Sequence, residues 1–223
     1  MKKERMKSLF YLFTFLLIYL IAACTQDAYE KGEGELSQMT AEMGDGYTST
    51  EKKVTRFVTD DDVELTVATP FSTKIMPKAD TVYRAVFYYA KTGEQAEVKG
   101  LNPVGVIRPR AIAIDSLKTD PVKLESVWMG KSRRYINLSV YIMLGTNEND
   151  SVKQKLGCHR DTLIQNADST RTLRLMLYHD QANVPQYYSQ RTYLSIPTKG
   201  LDADSVELTV NTYNGAIVKR LKL

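Results

Sequence analysis

The feature that most constrains this chain is a succession of short runs of β-branched and aromatic residues, which extends from Tyr47 to the last residue. Turn-forming residues separate the runs, and no long segment repeats its apolar residues at the 3.6-residue period of an amphipathic helix. In the run at 135–144 the apolar side chains alternate, which puts them on one face of a strand: Ile136, Leu138, Val140 and Ile142. The pattern predicts an all-β fold.

The runs fall into two blocks. The first holds five runs, at 53–58, 63–68, 81–90, 95–98 and 104–108. The second holds about seven runs, including 123–129, 135–144 and 205–212, and it closes with the hairpin signal Asn214-Gly215. About 110 residues and seven strands suit an antiparallel sandwich. We therefore expect a small five-stranded β domain over 47–112 and a β-sandwich domain over 113–223.

The amino-terminal segment has the organisation of an export signal. Met1–Ser8 carries four basic residues, and the uncharged run Leu9–Ala23 is shorter than the roughly 20 residues that a spanning helix needs. The tetrapeptide Ile21-Ala22-Ala23-Cys24 resembles a bacterial lipobox. That resemblance implies cleavage before Cys24 and acylation of its thiol by diacylglycerol and fatty acids such as palmitate. We predict a lipoprotein signal peptide over 1–23 and attachment to the membrane through Cys24.

Residues 24–46 are acidic and contain glycines, with no apolar periodicity, which predicts a flexible tether. Acidic residues after an acylated Cys resemble signals that send lipoproteins to the cell surface in some Gram-negative bacteria; a plain solvated linker is the alternative. The predicted location is the outer membrane of such a bacterium, with periplasmic and surface orientations both open.

The charge balance argues against a nucleic-acid partner. The chain holds 30 basic and 26 acidic residues, of which four basic and one acidic lie within 1–23. The predicted mature chain therefore has a net charge of only +1 over 200 residues. A near-neutral exported protein has no electrostatic footprint for nucleic acid.

The order of motifs resembles that of the NigD-like lipoproteins. The segments that carry the resemblance are FVTDDDVEL, KADTVYRAVFYYAKTGEQAEV, LESVWMGKSRRYINLSV, LRLMLYHDQANVPQYYSQRTYLSIP and VELTVNTYNGAIVKRLKL. The resemblance implies an OB-type five-stranded amino-terminal domain, a carboxy-terminal β-sandwich and no established enzymatic activity. The family name comes from a gene cluster linked to a bacteriocin. Asp61-Asp62 stands where an Asp-Gly turn is expected, so the turn there is expected to differ.

Residues that could carry chemistry are few. The chain has no nucleophile elbow, P-loop, dinucleotide fingerprint or metalloprotease helix. Two His and two Cys are too few for a metal cluster, so we predict no catalytic residue, metal or cofactor. Cys158 is expected to be a small buried apolar residue. His179 precedes the Asn183-Val184-Pro185 loop and is expected either to anchor that loop or to contact a ligand.

Aromatic residues offer two candidate surfaces. On the run at 81–90, alternation places Tyr83, Phe87 and Tyr89 on one face, and we expect that face to be core rather than a glycan or peptide platform. A second aromatic group contains Trp128, Tyr187, Tyr188 and Tyr193. Tyr187-Tyr188 follows Pro185 in a loop, where an interaction surface and loop packing are both open. The candidate binding residues are Tyr187, Tyr188 and His179.

An Asp followed by Ser or Thr and then an aliphatic residue or Thr occurs six times, against roughly one occurrence expected from the composition. The tripeptide resembles a bacterial O-glycosylation acceptor, and a turn Asp before a strand is the alternative explanation. The candidate acceptors are Thr81, Ser116, Ser151, Thr162, Ser169 and Ser205.

Taken together, these features favour a non-enzymatic, lipid-anchored binding or accessory protein of the envelope. Its partner would be another envelope protein or a glycan, and bacteriocin immunity or export is one version of this function. Two alternatives stay open: a small envelope hydrolase that uses His179 and Asp180, and a structural surface or adhesin component.

Overall fold

The computed structural model describes residues 39–146 and 153–223, which form thirteen β-strands and one short 3₁₀ helix. Cys24, Ser151 and the signal peptide lie outside these described residues. The first five strands are β1 (Met39–Thr48), β2 (Val54–Thr59), β3 (Glu64–Phe71), β4 (Val82–Thr92) and β5 (Gln95–Val106). They form a ring in the order β3-β2-β1-β4-β5, with β3 pairing in parallel with β5. This is an OB-like arrangement.

The predicted boundary between the tether and the first β domain is wrong, because the first strand begins within the predicted tether. The predicted tether extends to residue 46, but β1 begins at Met39 and pairs with both β2 and β4. Gly44 and Gly46 suggested a linker, yet close packing requires both of them. A Cβ on Gly44 would lie 2.8 Å from the Val58 carbonyl oxygen, and one on Gly46 would lie 2.7 Å from Cζ of Phe87.

The predicted count of five strands in the first block agrees with the structure only because two errors cancel. The sequence analysis missed β1, and it divided β5 into two runs because Gly100 and Pro103 interrupt the apolar pattern. In the structure a register shift between Tyr88 and Tyr89 of β4 accommodates the irregularity in β5.

The remaining strands build the sandwich. They are β6 (Pro109–Arg110), β7 (Lys123–Met129), β8 (Tyr135–Leu144), β9 (Lys155–Gln165), β10 (Arg171–Asp180), β11 (Tyr188–Pro197), β12 (Ser205–Thr212) and β13 (Gly215–Lys222). One layer is a sheet in the order β13-β12-β10-β9-β6. The facing layer is β11-β8-β7, which continues the ring strands through a β5–β11 pairing into one eight-stranded sheet. The protein is therefore all-β, as predicted.

The sheet β13-β12-β10-β9-β6 departs from a purely antiparallel arrangement at two pairs of strands, one of which is the short parallel pairing of β6 with β9. Strands β10 and β12 lie side by side in parallel. The chain crosses to the facing sheet to form β11 and then returns, and two reversals of direction leave β12 running the same way as β10.

Two separate cores lie inside the ring and between the sandwich layers. The ring core includes Phe57 stacked on Phe87 at a centroid distance of 4.1 Å, with Tyr89 packed edge-on against Phe57. The expectation that Phe87 and Tyr89 share a core face is confirmed. The sandwich core holds alternate residues of β8, including Leu138 and Val140.

The Asp61-Asp62 turn keeps the backbone geometry for which a glycine is usually chosen. Asp62 adopts a φ of +62°, and its N–H donates to the Thr59 carbonyl at 3.1 Å. Aspartate tolerates this left-handed conformation better than most side chains do.

Candidate ligand-binding cleft

A cleft opens where the outer face of the ring meets the outer face of the β7-β8-β11 layer. Its volume is about 450 Å³. Three aromatic residues line it, one from each of three strands: Tyr88 of β4, Trp128 of β7 and Tyr193 of β11. Its wall also includes four acidic residues and, within the described part of the chain, no lysine or arginine: Glu42, Asp60, Asp61 and Glu125.

Strand alternation explains why these side chains share the cleft. On β4, Phe87 and Tyr89 enter the ring core, so Val86 and Tyr88 face outward. On β8, Leu138 and Val140 enter the sandwich core, so the intervening Ser139 faces the cleft.

A small apolar cluster lies between the two cores. Met43 of β1, Val86 of β4 and Val104 of β5 are buried together, and the three cleft aromatic residues pack against them. This cluster attaches the aromatic side chains to both halves of the fold, and burying their apolar area stabilises that arrangement.

Beside the cleft lies a buried ionic network centred on Arg84, whose side chain is 1% exposed. Its guanidinium donates to Asp60 at 2.5 Å, to Asp45 at 3.4 Å and to Asn137 at 3.1 Å. It also donates to the Ser195 hydroxyl at 3.1 Å. A buried charge needs this degree of pairing, because an unpaired one would cost several kcal/mol.

Arg134 extends the network towards the surface. Its guanidinium donates to Asp45 at 2.7 Å and to the Thr59 carbonyl at 2.9 Å, and it lies 3.4 Å from Asp62. Arg134 therefore links the β7–β8 hairpin to the β2–β3 turn.

Glu125 anchors a second polar group at the rim of the cleft. Arg191 donates to its carboxylate at 2.6 Å, Ser139 donates at 2.5 Å and Tyr141 at 3.3 Å. The hydrogen bond from Ser139 and the charge of Arg191 lower the pKa of Glu125 below its usual value. Glu125 is therefore ionised at neutral pH.

The cleft continues into a second groove of about 570 Å³, and both share Tyr88 and Tyr193. The groove lies where β5 and β11 diverge. Asn102 and Pro103 line one side, and residues 190–192 line the other. Asn102 donates a hydrogen bond to the Tyr88 hydroxyl at 3.0 Å.

The three candidate binding residues predicted from the sequence do not form one surface in the structure. Tyr187 and Tyr188 are 74% and 53% exposed, but they do not line the cleft. His179 is 1% exposed, so its placement on a binding surface is wrong. Both its ring nitrogens are bonded, to the Asp120 carbonyl and to the Gln154 side chain, and it anchors the loop that follows β10.

The candidate glycosylation acceptors differ in accessibility. Ser116, Thr162 and Ser169 are exposed. Thr81 is half-buried and donates to the Ala79 carbonyl, and the half-buried Ser205 shares a hydrogen bond with Thr172. Modification at any of these residues stays a prediction.

Cys158 is buried in the sandwich core, as expected, and its burial raises the pKa of its thiol to about 12. In the described ranges 39–146 and 153–223, no group of three or more His, Cys, Asp or Glu residues could hold a metal ion. No helix in the same ranges is both long and apolar enough to cross a membrane.

The sequence analysis named Trp128 and Tyr193 as aromatic candidates but missed the carboxylates and Arg84. One signal was available. Arg84 interrupts the longest apolar run of the first block, and a charge on an otherwise buried strand needs partners elsewhere in the fold.

The fold and the cleft define a two-part all-β protein, an OB-like ring joined to a β-sandwich through a shared sheet. The model of the NigD-like C-terminal beta sandwich domain matches residues 106–221. The chain therefore belongs to the NigD-like family. No curated protein matches the sequence.

Solved structures share this fold at low sequence identity. A NigD-like immunity protein from Bacteroides caccae is 21% identical with a TM-score of 0.61, covering 82% of this chain and 91% of that one. A protein of unknown function from Bacteroides vulgatus is 13% identical, with a TM-score of 0.62 and coverage of 83% and 90%. A candidate lipoprotein from Bacteroides fragilis is 10% identical, with a TM-score of 0.57 and coverage of 83% and 97%.

Proposed function

We propose that this protein is a lipid-anchored, non-enzymatic binding module of the cell envelope and that the cleft is its binding surface. The observation that carries the proposal is the cleft itself. Aromatic and carboxylate side chains surround about 450 Å³, and a buried ionic network holds the strands on both sides in place. A preformed pocket of this kind recognises a ligand without needing a catalytic group.

The anchor is Cys24, which follows a basic segment and a 15-residue uncharged run. The Bacteroides fragilis candidate lipoprotein with the same fold supports an envelope location. We place the protein in the outer membrane, with its tether separating the folded part from the lipid surface.

Membrane attachment is tested with Cys24→Ser, which removes the acylated thiol. We expect the wild-type chain in the membrane fraction and the variant in the soluble fraction, because the acyl chains supply the membrane affinity. Cys158→Ser is the matched control and should stay in the membrane fraction. Retention of Cys24→Ser in the membrane would contradict the proposed anchor.

The non-enzymatic part of the proposal is tested by incubating the protein with panels of glycans, esters and peptides. We expect no turnover. Turnover that disappears with Glu125→Gln, and persists with Glu51→Gln at an exposed site outside the cleft, would instead favour the hydrolase alternative.

Bacteriocin immunity is the specific version of this function that we propose. The supporting observation is the shared fold of the Bacteroides caccae NigD-like immunity protein. Deleting the gene should increase sensitivity to a bacteriocin that the wild-type strain tolerates, and restoring the wild-type gene should reverse that change. Unchanged sensitivity would contradict bacteriocin immunity, but it would not contradict the proposal that the protein is a binding module.

A further inference from the structure

The cleft and the second groove lie on one continuous face of the eight-stranded sheet. Side chains alternate between the two faces of each strand, and Arg84 of β4 bonds to Asn137 of β8 and Ser195 of β11 across this face. Trp128 of β7 pairs directly with Asn137 and therefore points the same way. Counting in steps of two from these residues leaves four aromatic rings on one surface: Tyr88, Trp128, Tyr141 and Tyr193.

The charges that border this surface are neutralised within the protein. Three ion pairs account for the charged side chains that point towards it: Asp60 with Arg84, Asp61 with Lys131, and Glu125 with Arg191. Glu42 lies opposite Phe87 on the ring-core side of β1 and accepts a hydrogen bond from Tyr89 there. An ionic ligand would lose its hydration without meeting an unpaired opposite charge, so the surface favours an uncharged ligand.

Polar groups around the rings are held in fixed directions by hydrogen bonds. Arg191 donates to Glu125 at 2.6 Å and to the Tyr141 hydroxyl at 2.7 Å. Asn102 donates to the Tyr88 hydroxyl at 3.0 Å. The O–H of Tyr88 and the amide oxygen of Asn102 have no hydrogen-bond partner among the described residues. A ligand hydroxyl can bond to both, because it donates and accepts.

A sugar ring has two kinds of surface that match this arrangement. Its C–H groups form an apolar face that packs on an aromatic ring, and its hydroxyls project from the edge towards hydrogen-bonding groups. A peptide instead uses its main-chain groups along a strand edge, whereas these rings lie on the face of the sheet. The two grooves share Tyr88 and Tyr193, so one occupant that fills both has several linked units.

We propose that the cleft and the second groove together bind an uncharged oligosaccharide. Its sugar rings stack on Trp128, Tyr88 and Tyr193, and its hydroxyls bond to Asn102 and to the carboxylate of Glu125. This inference rests on the proposed function and names the chemical class of its ligand.

Trp128 is the only tryptophan in the chain, so its fluorescence reports binding at the cleft directly. The full lipidated chain is held in a polyoxyethylene detergent, which contains no sugar. It is titrated with four uncharged 1,4-linked hexasaccharides, namely maltohexaose, cellohexaose, mannohexaose and galactohexaose. Comparison probes are the same hexasaccharides with their primary alcohols oxidised to carboxylates, the corresponding disaccharides, and the uncharged peptide acetyl-Val-Thr-Ser-Thr-Val-amide.

We expect at least one uncharged hexasaccharide to change the fluorescence at saturating concentration, and the peptide to cause no change. The oxidised counterpart should bind roughly tenfold or more weakly, because its carboxylates lose hydration without meeting a free basic group. The corresponding disaccharide should also bind roughly tenfold or more weakly, because it fills only part of the two grooves.

The variant Tyr88→Leu keeps an apolar side chain against the small apolar cluster but removes the ring and its hydroxyl. It should weaken the hexasaccharide roughly tenfold. Asn102→Ala removes an exposed amide without disturbing a core, and it should weaken binding about fivefold. Tyr213→Leu is the matched control, because Tyr213 is exposed outside both grooves, and it should leave the affinity unchanged.

A response to the peptide and none to the hexasaccharides would overturn the inference, as would the absence of any response to the hexasaccharides. Equal affinity for the uncharged and oxidised forms, or for the hexasaccharide and disaccharide, would do the same. Binding that both Tyr88→Leu and Asn102→Ala leave unchanged would also overturn it. None of these results affects the fractionation of Cys24→Ser or the assay for turnover, so failure of the inference is distinguishable from failure of the proposed function.

Discussion

At the scale of single residues, the most informative side chain is Arg84. A guanidinium inside a β protein is stable only when carboxylates and neutral acceptors surround it, and Arg84 has both in Asp60, Asp45, Asn137 and Ser195. Its four partners come from three strands and one turn: β1, β8, β11 and the turn after β2. The residue therefore joins the ring to the sandwich beside the cleft.

Replacing Arg84 with Met should destabilise the protein by about 3–5 kcal/mol, because it leaves Asp45 and Asp60 buried with weaker pairing. Urea unfolding followed by circular dichroism measures the change. Arg174→Met is the matched control. Its ion pair with Glu207 lies at the surface, so its removal should cost no more than about 1 kcal/mol. Equal losses for the two variants would show that the network contributes little to stability.

At the scale of elements, β1 shows how a strand can resemble a linker. Its segment MTAEMGDGYT contains two glycines and two acids, which are typical of loops. Gly44 and Gly46 are nevertheless required where β1 packs against Val58 and Phe87. Its buried Asp45 is paired with Arg84 and Arg134. Local composition concealed the strand, because the arginines that pair with Asp45 lie 39 and 89 residues further along the chain.

Gly44→Ala should destabilise the protein by about 1–3 kcal/mol, since its Cβ would lie 2.8 Å from the Val58 carbonyl oxygen and backbone must move. Gly100→Ala in β5 is the control, because the atoms nearest to its Cβ lie 3.8 Å away. The control should change stability by less than about 0.5 kcal/mol. Thermal or urea unfolding compares the two, and a neutral Gly44→Ala would contradict the close packing of β1 on β2.

At the scale of the whole molecule, residues 39–223 form one compact unit. The eight-stranded sheet passes from the ring into the sandwich through the β5–β11 pairing, and the Arg84 network crosses at the same place. The division into domains at 47–112 and 113–223 stays a prediction. These connections indicate that the two parts depend on each other for stability.

We expect a single cooperative unfolding transition. Circular dichroism reports all the strands, whereas fluorescence reports Trp128 at the junction, so the two urea curves should coincide. Two separated transitions would instead support independent domains, and a sandwich segment 113–223 that folds alone would support the same conclusion.

The sequence by itself determined the all-β class, because a two-residue apolar period and turn signals are local properties of the chain. It also determined bounds such as those of β7, β8 and β12, whose alternation or flanking turns are regular. It predicts the export signal in the same local way. Only the tertiary structure decided where the cleft lies. Arg84 and Ser195 bond across a separation of 111 residues, and no local pattern encodes which distant strands bring their polar faces together.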